Sequence, residues 1–148
     1  MLELKLEVVV LPVADVDRAK AFYERAGFRL DVDHVADDGY RVVHLTPPGS
    51  SCSILFGTGV NTAAPGSVRG LHLIVDDIEV ARTELVARGV EMSEIFHDVS
   101  GVFHRGTEEG RVSGLAPERA SYGSFATFTD PDGNEWALQE VTTRLPGR

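Results

Sequence analysis

Leu11-Pro12-Val13-Ala14-Asp15-Val16 and Leu73-Ile74-Val75-Asp76-Asp77-Ile78 stand 62 positions apart and open two copies of one pattern. The same offset relates Val13 to Val75, Asp15 to Asp77, Ala19 to Ala81 and Gly27 to Gly89. One such match arises easily by chance. Several at a single offset, with the same local chemistry, indicate a duplicated unit. In each copy a β-branched run (residues 8–13 and 71–75) predicts a strand. Asp15 and Asp77 follow where a helix N-cap belongs. Ala19, Phe22, Tyr23 and Ala26 then fall on one helical face, as do Ile78, Ala81 and Leu85. Gly27 and Gly89 supply the left-handed residue that ends each helix.

Further strands are predicted at 28–35, 40–45 and 53–56 in the first copy, and at 90–96, 125–128 and 135–141 in the second. The last two strands of each copy are joined by a turn, Thr46-Pro47-Pro48-Gly49-Ser50 and Asp130-Pro131-Asp132-Gly133-Asn134. Gly49 and Gly133 lie 84 positions apart, so the second copy holds 22 additional residues. The Gly-, Glu-, Arg- and Ser-rich stretch 98–123 accommodates them. A loop of that length in a small domain is expected to be either functional or disordered. The chain reads as one domain over 1–148, with module one at 1–57, a linker at 58–69, and module two at 70–142.

The 148 residues carry 14 basic and 23 acidic side chains, a net charge of −9. An acidic chain is not drawn to phosphate backbones or anionic lipid, so neither nucleic acid nor membrane is expected as a partner. The opening residues alternate leucine with charge and lack the pattern of a signal peptide, which leads to an expectation of a cytoplasmic protein. A lone Cys52 excludes an intrachain disulfide and reads as a small buried hydrophobe. No nucleophile elbow or phosphate loop occurs.

Two βαβββ modules, the Val-x-Asp start of each helix, and Phe128-Thr129-Asp130-Pro131-Asp132-Gly133-Asn134 together resemble the vicinal oxygen chelate superfamily of glyoxalases, bleomycin-resistance proteins and extradiol dioxygenases. The resemblance implies an α+β fold, in which two tandem βαβββ modules form a cupped, incomplete eight-stranded barrel with helices outside. It also implies a homodimer. Enzymes of the family hold a divalent metal in the cup through side chains of the first and last strands of each module. Those positions here are Val8, Gly70, Ala137 and Ile54, or Leu55 with a one-residue slip. None has a side-chain lone pair, so no metal and no cofactor are expected.

Alternation along strands extends these positions to a predicted cup. Val8 brings Val10, Ile54 brings Cys52 and Phe56, and Ala137 brings Glu135 and Gln139. Gly70 brings His72. With Phe103 and Tyr122 from the long loop, this describes a mostly apolar small-molecule pocket with few polar points. His72 and Glu135 are the candidate catalytic residues. His34, Arg105, Arg111 and Arg119 are expected in solvent, with one arginine open to an anionic ligand, and His44 lies on a strand whose facing the sequence leaves open. Three functions remain open: a metal-free binder of a hydrophobic molecule, as in antibiotic sequestration; a metal-independent isomerase, cyclase or lyase; and a metalloenzyme with ligands relocated to His72, His97 or His104. The loop is expected to act as a lid.

Overall fold

The computed structural model describes residues 1–148. Its first half runs β1 (Val8–Val10), α1 (Val16–Arg25), β2 (Arg29–Val35), β3 (Arg41–Thr46) and β4 (Ser53–Thr58). The second runs β5 (Leu71–Val75), α2 (Ile78–Ala87), β6 (Phe96–Asp98), β7 (Arg111–Ser113), β8 (Phe125–Thr129) and β9 (Glu135–Glu140), with a short 3-10 turn, Pro117–Arg119, between β7 and β8. The duplication is explicit in the sheets. The first has order β1-β4-β3-β2 and the second β5-β9-β8-β6-β7, and in each the first and last strands of the module pair in parallel. Neither sheet closes on itself, giving the expected α+β architecture with one helix on each sheet.

The helices start and stop as the residues dictate. The Asp15 carboxylate accepts from Arg18 N–H, and Asp77 accepts from Glu79 and Val80 N–H, satisfying donors that the first turn leaves open. Gly27 and Gly89 take φ of 104° and 87° just past the helix ends.

Residues 1–68 and 130–134 form one unit; residues 69–129 and 135–148 form another. In the first, Ala19, Phe22 and Tyr23 of α1 are buried, as are Val43, Leu45, Ile54 and Phe56 of the sheet. Tyr23 meets Phe56 at 5.9 Å between ring centres. The Asp130–Asn134 turn belongs to this core. Asp130 Oδ1 gathers the N–H groups of Asp132, Gly133 and Asn134, while its Oδ2 accepts from the buried Tyr23 hydroxyl at 2.8 Å. Asn134 Nδ2 donates to Pro12 O. The linker is likewise held down: Gly66 N–H donates to Pro12 O, and Val68 N–H to Asn134 Oδ1. At the sheet edge, exposed β2 carries Asp33, which joins Lys20 to Arg41; edge charge of this kind discourages further strand pairing.

In the second unit α2 covers one face of the sheet through Ile78, Leu138 and Ala126, all buried. Two expectations are corrected here. The second strand of this module spans Phe96–Asp98 rather than 90–96. Upstream, the Ser93 hydroxyl takes the Thr127 N–H that a strand carbonyl would receive, so regular pairing starts later. The stretch 98–123 is also not all loop, because β7 pairs with β6 and raises the strand number from eight to nine.

Candidate ligand-binding face of the second unit

Strand register decides which side chains meet. His72 pairs with Ala137, Ile74 with Gln139, Thr127 with Ala137, Phe125 with Gln139, and Phe96 with Phe125. Paired residues in a ladder point to one side. Their side is opposite α2, since the alternate residue Glu140 directs its carboxylate to Ile78 N–H at the helix start. The module-two set expected from alternation therefore shares one face: His72, Glu135, Ala137 and Gln139.

The connection from β6 to β7, residues 99–110, folds back over this face. It places the His104 ring 4.5 Å from Phe125, edge-on, and 5.9 Å from Phe96. Phe96 and Phe125 stack at 5.9 Å, and His72 lies 6.1 Å from Phe125. On its other side Phe96 carries the Arg111 guanidinium, 4.1 Å from the ring centre, an attractive placement for a cation. The result is a buried aromatic pair, Phe96 and Phe125, covered by two imidazoles of which His72 is exposed. His72 Nε2 and His104 Nε2 stand 3.2 Å apart. Partial burial, followed by the nearby His104, holds His72 below its ordinary pKa, which favours the neutral ring.

The rest of the 98–123 segment is anchored around this surface. Gln139 Nε2 donates to the Tyr122 carbonyl, and Tyr122 N–H to Glu140 O. Phe103 meets Tyr122 edge-on at 6.3 Å. Asp98, buried beneath, accepts from the Ser100 hydroxyl and N–H, which keep its carboxyl below the usual range. Phe103, Glu118, Arg119 and Tyr122 all have positive φ. Every non-glycine residue with that geometry lies in this segment, and such backbone strain concentrates at working parts of proteins.

In module one the expected set separates. Val8 pairs with Ser53 and Val10 with Leu55, so these share a side. Ile54 and Phe56 point the other way, into the core under α1. The alignment slips by one, and Leu55 rather than Ile54 accompanies Val8 and Val10. Cys52 is half-buried ahead of β4, its thiol turned to the Ser53 carbonyl. His97 is likewise separated from His72 and His104. It alternates with Phe96, and its Nδ1 lies 2.9 Å from Gly114 O, so the three histidines do not converge. Arg119, expected in solvent, instead holds the buried Glu140. Phe96, Phe125 and His104 are additions to the site; the Phe125–Gln139 pairing is the signal that would have revealed the first two.

A divalent metal does not fit the family's ligand positions in this chain. Val8, Leu55 and Ala137 end in hydrocarbon, and Gly70 has φ of +79° with open space where a side chain would start. No group of three His, Cys, Asp or Glu side chains is spaced to hold a metal ion.

Comparison with known proteins agrees with this architecture. Residues 5–138 match the Glyoxalase/Bleomycin resistance protein/Dioxygenase superfamily. No curated protein matches the chain. Among solved structures, TnmS3, an antibiotic binding protein from Streptomyces sp. CB03234, is 30% identical with a TM-score of 0.67, covering 95% of this chain and 98% of that one. A glyoxalase/bleomycin resistance protein from the same Streptomyces is 30% identical with a TM-score of 0.63, covering 91% and 99%. A superfamily member from Sphaerobacter thermophilus DSM 20745 is 26% identical with a TM-score of 0.66, covering 93% and 98%. With its duplicated βαβββ modules and its Asp-Pro-Asp-Gly-Asn turn, the chain belongs to the glyoxalase/bleomycin resistance protein/dioxygenase superfamily.

Proposed function

We propose that this protein binds a hydrophobic, ring-bearing small molecule at the His72 side of its second sheet and sequesters it without a metal. An antibiotic is the ligand class that the 30%-identical TnmS3 suggests. The observation that carries the reading is the His72–His104 pair on this face, seated on the buried Phe96 and Phe125 rings and flanked by the 99–110 segment. An apolar setting with few directing groups suits binding rather than bond-breaking. The protein acts as a homodimer in this reading, and light scattering across a wide concentration range tests that part.

The His72–His104 pair favours a second reading, a metal-independent enzyme using His72 or Glu135 as a base. Titration calorimetry against a panel of aromatic antibiotics, with mass spectrometry of the recovered compound, separates the two. Stoichiometric binding with the compound returned intact supports sequestration. A chemically altered product overturns it in favour of catalysis, and no binding across the panel overturns both.

A further inference from the structure

The two imidazoles form a hydrogen-bond chain whose direction can be worked out. At 3.2 Å the facing Nε2 atoms share one proton, because two bare nitrogens or two N–H groups at that distance repel. The direction is set at the far end. His104 Nδ1 lies 2.9 Å from the Arg105 carbonyl oxygen, which only accepts, so Nδ1 carries a hydrogen. A neutral His104 then has a bare Nε2, and the shared proton belongs to His72 Nε2. A neutral His72 protonated there has a bare Nδ1. No group of the chain donates to that nitrogen, and His72 is exposed.

We propose that His72 Nδ1 accepts a hydrogen bond from the acidic hydroxyl of a bound aromatic compound, a phenol or enol, and so selects hydroxylated rings over their O-methyl ethers. The inference rests on the reading that the ligand occupies this face. An imidazole nitrogen is the strongest neutral acceptor among side chains, and it gains most from an acidic donor. His104 strengthens it, since the proton on His72 Nε2 already has an acceptor and the ring can take up positive character. His104 is thus a positioning residue, and a carbonyl two rings away from the ligand fixes which way the site reads. The Phe125 and Phe96 rings are buried beneath the imidazoles and back them, and do not themselves meet the ligand.

The test uses the full-length protein with 1-naphthol and 1-methoxynaphthalene, which differ only in the donor. Calorimetry at neutral pH should give at least tenfold tighter binding of 1-naphthol, about 1.4 kcal/mol. His72→Phe should bind both equally, and His104→Phe should narrow the difference while retaining the ring contact. A long-range nitrogen–proton correlation spectrum of the free protein should show His72 protonated at Nε2 and bare at Nδ1. Equal binding of the two probes by the unaltered protein, or a His72 protonated at Nδ1, overturns the proposal and leaves the binding face intact. Failure of both probes to bind overturns the proposal and the binding face together.

Discussion

Arg119 donates from Nε and Nη2 to the two carboxylate oxygens of Glu140, at 2.9 and 2.7 Å, and thereby ties the strained 3-10 turn to the last strand. Glu140 is fully buried, and one of its oxygens also accepts from Ile78 N–H at the start of α2. One carboxylate therefore joins the long inserted segment, β9 and the second helix. Glu140→Gln keeps the shape and removes the charge, and should cost about 2 kcal/mol of stability, the scale of a charge-assisted hydrogen bond. Urea unfolding at neutral pH measures it.

The same pair sets an acid limit on stability. The Arg119 hydrogen bond, assisted by the Ile78 amide, holds Glu140 below its ordinary pKa of 4.5 despite its burial. A lowered folded pKa means the contribution is complete above the unfolded value and is lost as pH falls through the folded one. Below about pH 4.5 the native protein should therefore lose stability more steeply than Glu140→Gln, seen as converging urea midpoints.

Ligand selection should depend on pH in a different range. Protonation of His72 Nδ1 removes the acceptor, and burial with His104 nearby places that event below the ordinary 6.5. Asp98 on β6, Glu135 on β9, Arg111 on β7 and Arg105 in the connection also bear on this face; of the carboxylates, Asp98 is held ionised by Ser100. The preference for 1-naphthol over its ether should fade on acidification below the ordinary histidine range, and His72→Phe should show no such change. An undiminished preference at acid pH would count against the assigned role of Nδ1.

Gly66 has φ of +78°, and a Cβ there would collide with the backbone carbonyl of Asp132. Neither backbone can yield cheaply, since Asp132 belongs to the Asp130-centred turn and Gly66 N–H is held by Pro12 O. Gly66→Ala should lower stability by about 2 kcal/mol or more, whereas Gly39→Ala, with nothing near its Cβ, should show only the smaller cost of its own positive φ. Thermal unfolding of the two variants makes the comparison.

Replacing residues 100–109 by Asn-Gly should leave the β6–β7 pairing intact and the protein folded. Affinity for 1-naphthol should fall at least about tenfold, because His104 and Phe103 go with the segment. Cutting the whole of 99–121 should fail differently, by unfolding, since that removes Arg119 from a buried carboxylate. Circular dichroism and calorimetry distinguish the outcomes.

Exhaustive treatment with EDTA should change neither thermal stability nor 1-naphthol affinity, because Val8, Leu55, Gly70 and Ala137 offer no donors. Binding lost on chelation and restored by zinc or nickel would reject the metal-free reading.

The fold was legible because the repeat is written in local chemistry. Asp15 and Asp77 cap, Gly27 and Gly89 terminate, and the Asp-Pro-Asp-Gly-Asn turn closes a hairpin, each through its nearest neighbours. The module-two face was legible for the same reason, since alternation from Ala137 to His72 needs only the register of β5 against β9. Module one was harder. A slip of one residue inverts a strand, and nothing local to Ile54 or Leu55 says which one faces α1. His104 and Arg119 were illegible as well. Their partners, His72 and Glu140, are 32 and 21 positions away, and only the path of the connecting segment brings them together.

The Asp130–Asn134 turn, made near the end of the chain, completes a core begun at residue 8. On the ribosome, the first repeat emerges long before Asp130, the acceptor for its Tyr23 hydroxyl, and Asn134, which closes onto Pro12, have been synthesised. Domains are usually finished in the order they are translated. Here the earlier repeat must wait, unfinished, until 134 of the 148 residues exist. A gene encoding the first repeat alone would yield a polypeptide that lacks the acceptor for its Tyr23 hydroxyl and the amide that closes onto Pro12.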